Sequence, residues 1–105
     1  MSPFNLTESF LRSASELQKE QANKLCKALL LFYRNPKHPS LNFEKLSGRA
    51  AAMHSIRVDN SYRVILQGGS TMTMFHFVGT HDEAYRFAER ITPVIRARMA
   101  GAEPA

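Results

Sequence analysis

Two arginines stand on either side of a short turn. Arg57 lies in Ser55-Ile56-Arg57-Val58 and Arg63 in Ser61-Tyr62-Arg63-Val64-Ile65, joined through Asp59-Asn60-Ser61. Both segments alternate like strands, so Ile56 and Val58 point away from Arg57, and Tyr62 and Val64 away from Arg63. In a hairpin the two guanidiniums then share one face, a few ångströms apart. Such a pair can hold a phosphate through forked N–H donors. Arginines on strand surfaces are more often solvated or paired with acids, so the pair alone does not specify phosphate chemistry.

A second group follows the last strand. In His81-Asp82-Glu83-Ala84-Tyr85 the two acids suit the first turn of a helix, with Asp82 as the expected N-cap. Helix capping leaves His81 unexplained, and histidine is the side chain type suited to acid–base work near neutral pH. Tyr85, one turn further on, can pack at the edge of an apolar stripe or offer its ring to a base. Other chemistries find little support. Cys26 has no histidine near it in sequence and reads as a small hydrophobe. His38, His54, His76 and His81 make no i, i+4 pair, so no metal site and no cofactor are expected. Gly68-Gly69 lacks the lysine and following helix of a phosphate loop.

These groups need a scaffold, and 105 residues provide one domain spanning 1–105. Phe10, Leu11, Ala14 and Leu17, then Leu25, Ala28, Leu29 and Phe32, recur at helical spacing. They predict a helical hairpin or one long bent helix between Thr7, the expected N-cap, and Asn35-Pro36. A short strand precedes it at Pro3 to Leu6, and a further strand is expected within Asn42 to Leu46. Tyr62 to Gln67 and Thr71 to Val78 extend the hairpin into a meander through a turn at Gly68-Gly69-Ser70. In Thr71 to Val78, alternation puts Phe75 and Phe77 on one face and Met74, His76 and Val78 on the other. Apolar residues on both faces make this a central strand. Ala84, Phe87, Ala88 and Ile91 predict a short last helix ending before Pro93. The expected class is α+β: an N-terminal helical hairpin on a curled, mainly antiparallel sheet, its helices on one face, with a short C-terminal helix.

The formal charge is +5, and it is uneven. Arg34 to Arg63 holds six bases against two acids, whereas His76 to Ala105 is balanced. A basic middle attracts phosphates or an acidic protein. A single cysteine, no span of about 18 apolar residues and an N-terminus without a basic start or apolar stretch predict a cytoplasmic protein away from membranes.

Several strings resemble the RelE/ParE superfamily of type II toxin–antitoxin toxins. They are Leu41-Asn42-Phe43-Glu44-Lys45-Leu46, Ser55-Ile56-Arg57-Val58, Tyr62-Arg63-Val64-Ile65, and His76-Phe77-Val78-Gly79-Thr80-His81-Asp82-Glu83-Ala84-Tyr85. The resemblance implies a small endoribonuclease that cuts messenger RNA without metal, commonly at the ribosome, or a gyrase-poisoning toxin of the ParE type. A non-catalytic relative acting through a partner is the third alternative. It further implies a small acidic antitoxin as partner, in a toxin–antitoxin hetero-oligomer. Carried over singly, Arg63 matches the family's phosphate-contacting arginine and Arg57 a basic position on the preceding strand. His81 falls where members carry arginine or histidine, and Tyr85 resembles their C-terminal aromatic. Arg57, Arg63, His81 and Tyr85 are thus the expected catalytic residues, and Lys45, Arg49, Arg57 and Arg63 the expected RNA contacts. His81 and Tyr85 in these places favour the endoribonuclease, which is the leading expectation. Arg57 is the one base from Ser55 to Val58, where RelE proper carries several lysines, and this favours the two alternatives.

Overall fold

The structure, a computed structural model, describes residues 4–68 and 72–101. Thr7 closes a short strand, β1 (Phe4–Leu6), and caps helix α1 (Glu8–Ser15). Its Oγ1 accepts from the Phe10 N–H at 3.2 Å and donates to the Phe75 carbonyl at 3.0 Å. One threonine therefore satisfies an orphan helix donor and fastens the helix to the sheet. The chain leaves the helix at Glu16 and re-enters at Lys19, so a hairpin forms rather than one bent helix. Helix α2 (Lys19–Arg34) buries Leu25, Ala28 and Phe32 and stops before Pro36.

Strand β2 (Glu44–Lys45) is two residues long and lies on the outer edge of β3 (His54–Arg57). β3 pairs antiparallel with β4 (Tyr62–Gly68), and β4 with β5 (Thr73–Thr80). β1 pairs parallel with β5, which makes the order β1-β5-β4-β3-β2 and places β5 inside the sheet, as its sequence predicts. Asp59 builds the β3–β4 turn: its Oδ1 accepts from the Ser61 and Tyr62 N–H groups at 2.9 and 2.8 Å. Gly69 and Ser70 of the expected turn, Thr71 at the start of the expected strand Thr71 to Val78, and Pro3 at the start of the expected N-terminal strand fall outside the described residues. Among the described residues no helix is long and apolar enough to cross a membrane.

The α+β class and the helical hairpin on a mainly antiparallel sheet are as the sequence predicts, but three details differ. The last helix, α3 (His81–Gly101), is not short and passes through Pro93. Pro93 is exposed, so water can satisfy the Glu89 carbonyl that the missing N–H leaves free, while Ile95 anchors the next turn in the core. The cap of α3 is Thr80 rather than Asp82. The Glu83 N–H donates to Thr80 Oγ1 at 3.3 Å and the Thr80 N–H to Glu83 Oε1 at 3.0 Å, a reciprocal pair. Gly79 leaves room for this carboxylate, since a Cβ there would lie 2.9 Å from Glu83 Oε1.

The third difference is on β5. Ile65 pairs with Phe77 but Leu66 with Phe75, so His76 is an extra residue in the ladder and the alternation slips. Phe75 therefore joins Phe10, Leu25, Phe32, Ile56 and Val64 beneath α1 and α2. Phe77 instead packs with Ile65, Ala84, Phe87 and Ala88 beneath α3. The helices consequently cover both faces of the sheet rather than one.

His76 is buried, with Nε2 3.2 Å from Gln67 Oε1. Burial first, and then the Arg98 charge, lower its pKa from the ordinary value of 6.5. A lowered pKa means the fold favours the neutral ring. The resulting stability is present above the ordinary value and is lost as the pH falls through the lowered one. Thermal melts from pH ~7.5 down to ~5 are expected to show a falling Tm, and His76→Gln to flatten part of that fall. An unchanged slope in the variant would exclude His76 as a source.

Candidate functional site

The three-residue turn sets Arg57 and Arg63 directly opposite one another in the β3–β4 register. Ile56 and Val64 are paired beside them and point into the α1–α2 core, so both arginines project from the α3 side. Arg57 is exposed. Arg63 is half-buried, and its Nη1 is a buried donor without a hydrogen-bond partner among the described residues.

The same face receives two further elements. Glu44 on β2 pairs with Ser55 on β3, and Ser55 Oγ lies 3.5 Å from Glu44 Oε1. The first turns of α3 cross above them. Tyr85 donates its hydroxyl to Glu44 Oε1 at 2.7 Å, and His81 stacks on the Tyr85 ring with centroids 4.3 Å apart and planes at 21°. The His81 N–H bonds the Ser61 carbonyl at 2.9 Å, so the β3–β4 turn holds the helix start in place. Burial first, and then the hydrogen bond to Glu44, raise the Tyr85 pKa, partly offset by Ser55 and the Arg63 charge. The phenol is therefore a protonated donor at neutral pH.

Arg63, His81 and Tyr85 thus meet at one end of the sheet. Arg57 stands opposite Arg63 in register, but at the open end of β3 it also borders a groove against α2. Lys45 and Arg49 do not join them. Lys45 is exposed opposite His54, across the sheet from Glu44, and Arg49 is exposed in the turn Gly48–Ala50 beside the later part of α3. Among the described residues no three His, Cys, Asp or Glu side chains gather where they could hold a metal ion.

Sequence reasoning missed Glu44 and Ser55. The Glu44–Tyr85 bond joins residues 41 apart, which no local pattern reveals. One signal was present: alternation in Asn42 to Leu46 turns Phe43 and Lys45 one way and the Glu44 carboxylate the other. A half-buried carboxylate accepting from a phenol, the Arg63 guanidinium and an exposed imidazole are together suited to moving a proton beside a phosphate.

No family profile and no curated protein matches the sequence. Solved structures match its fold. YafQ from E. coli strain BL21(DE3) superposes with a TM-score of 0.68 at 17% identity, over 79% of this chain and 97% of that one. The YoeB/ParE toxin from Agrobacterium tumefaciens gives 0.62 at 17% identity, over 75% and 98%. YoeB in the YoeB–YefM toxin–antitoxin complex from Staphylococcus aureus gives 0.60 at 14%, over 77% and 98%. The chain has the fold of the RelE-like toxins.

Proposed function

We propose that this protein, built on the RelE-like toxin fold, is the toxin of a type II toxin–antitoxin pair and cleaves RNA where Glu44, Arg63, His81 and Tyr85 converge, with Arg57 reaching the phosphate from beside Arg63. The observation that supports the reading is that the Glu44 carboxylate, the Tyr85 phenol, the His81 ring and the Arg63 guanidinium gather at one end of the sheet, with Arg57 opposite Arg63 in register. In the reaction a ribose 2′-oxygen bonds to the adjacent phosphorus as the bond to the 5′-oxygen breaks. Glu44 takes the 2′-hydroxyl proton, and His81 as imidazolium gives one to the departing 5′-oxygen. Arg63 and Arg57 neutralise the charge gathering on the non-bridging oxygens. Tyr85 holds Glu44 by its hydrogen bond and, with His81, presents a stacked surface to a base. The dependence on a 2′-hydroxyl makes the substrate RNA, with messenger RNA, free or on the ribosome, as the expected form.

A small acidic antitoxin is the expected partner. The basic middle supports this, as does a groove between α2 and β3 with Lys24, Lys27 and Arg57 around an aliphatic floor of Ala28, Leu31, Leu41 and Val58. Such a floor suits a protein segment.

The deciding experiment incubates purified protein with messenger RNA, alone and with translating ribosomes, and reads the ends produced. Cyclic 2′,3′-phosphate and 5′-hydroxyl ends are expected. Glu44→Gln, which still accepts from Tyr85, is expected to fold normally and to lower kcat about a hundredfold. RNA left intact in every condition, while expression still arrests growth, would replace this reading with the ParE-type alternative.

A further inference from the structure

From where Tyr85 meets Glu44, α3 runs on past the turn Gly48–Ala50 that follows β2. Between that turn and the helix lies a groove of about 510 Å³ lined by Arg49, Glu89, Thr92, Pro93 and Arg96. Tyr85, Glu89, Thr92 and Arg96 follow one another at spacings of four, three and four residues, so they share one face of the helix. Among the described residues neither Arg49 nor Arg96 has a carboxylate within ion-pair distance.

We propose that this groove is a subsite for the single-stranded RNA that flanks the scissile phosphate, with Arg49 and Arg96 holding its backbone; the proposal rests on the nuclease reading above. From Tyr85 to Arg96 the helix rises roughly 16 Å. At about 3.4 Å per stacked nucleotide that length accommodates four to five nucleotides. The two guanidiniums sit on opposite walls, where a strand lying between them meets both. Glu89, between the site and the two cations, repels phosphate and accepts from a base amino group instead, so the strand turns its bases toward that point. An RNA backbone is favoured over a protein segment by the two guanidiniums that flank the groove. The stacked His81 and Tyr85 rings at the near end add a surface for a base.

The test compares an RNA octamer with a dinucleotide in the full-length protein and its Arg96→Glu variant. Binding is read with a 2′-O-methyl octamer, which lacks the nucleophile, and cleavage with the two ribo-substrates. Arg96→Glu is expected to weaken octamer binding about tenfold or more and to lower its log–log salt slope by about one. The octamer KM rises accordingly, with kcat and dinucleotide cleavage retained. Lys19→Glu makes the same charge change at the exposed start of α2, away from both grooves, and is expected to leave octamer binding nearly unaltered. Equal losses in the two variants would reduce the effect to net charge and overturn the subsite, as would an octamer that binds no tighter than the dinucleotide. A parent protein that cuts neither substrate would defeat the nuclease reading, while octamer binding would still decide the groove.

Discussion

Arg63→Ala is expected to lower RNA cleavage by roughly a hundredfold to a thousandfold and to leave the fold intact. The two halves of that result have separate causes. A guanidinium held against a phosphate stabilises charge that develops only in the transition state, so its loss appears in kcat. Stability responds differently, because Arg63 Nη1 is buried without a partner and already carries an uncompensated desolvation cost. Its removal relieves that cost, while Tyr85 keeps its bond to Glu44. Paired thermal melts and cleavage rates measure both halves. Arg63→Lys refines the result: it restores the charge but not the forked donors, and is expected to recover only part of the rate. A folded, fully active Arg63→Ala protein would remove Arg63 from the site.

Phe75→Ala is expected to have the largest effect on stability, about 3–5 kcal/mol. The ring is fully buried, with the Phe4, Phe10 and Phe32 centroids 5.0, 5.7 and 5.8 Å away. It also lies on β5, where its carbonyl accepts both the N–H and the hydroxyl of Thr7. Emptying that position leaves a cavity between the sheet and both hairpin helices. Small domains are stable by only about 5–15 kcal/mol, so the change is a large share of the total. Thermal melts should show Tm falling by more than about 10 °C. Phe77→Ala is expected to cost less, because Phe77 is only partly buried and stacks on Phe87 on the opposite face. Comparable losses in the two variants would contradict the slip in alternation at His76.

The arginine pair was legible in the sequence because its geometry is local. A three-residue turn with Asp59 as acceptor leaves little choice of register, and register decides which side chains share a face. Thr7 as a cap, the stop at Asn35-Pro36 and the central placement of β5 follow from equally short-range rules of capping, ring closure and alternation. The tertiary structure decided what depends on distant partners. Glu44 reaches the site only because α3 crosses over β2, a contact between residues 41 apart. The same crossing separates Arg49 and Lys45 from the arginine pair, although all lie in one basic stretch. Helix α3 passes Pro93 because Ile95 finds a place in the core, a gain that local propensity does not contain. The extra residue at His76 sends Phe75 and Phe77 to opposite cores, since a two-residue period survives only where the ladder is unbroken. Local pattern determined which segments are strands and helices; packing between segments far apart in sequence determined which side chains meet.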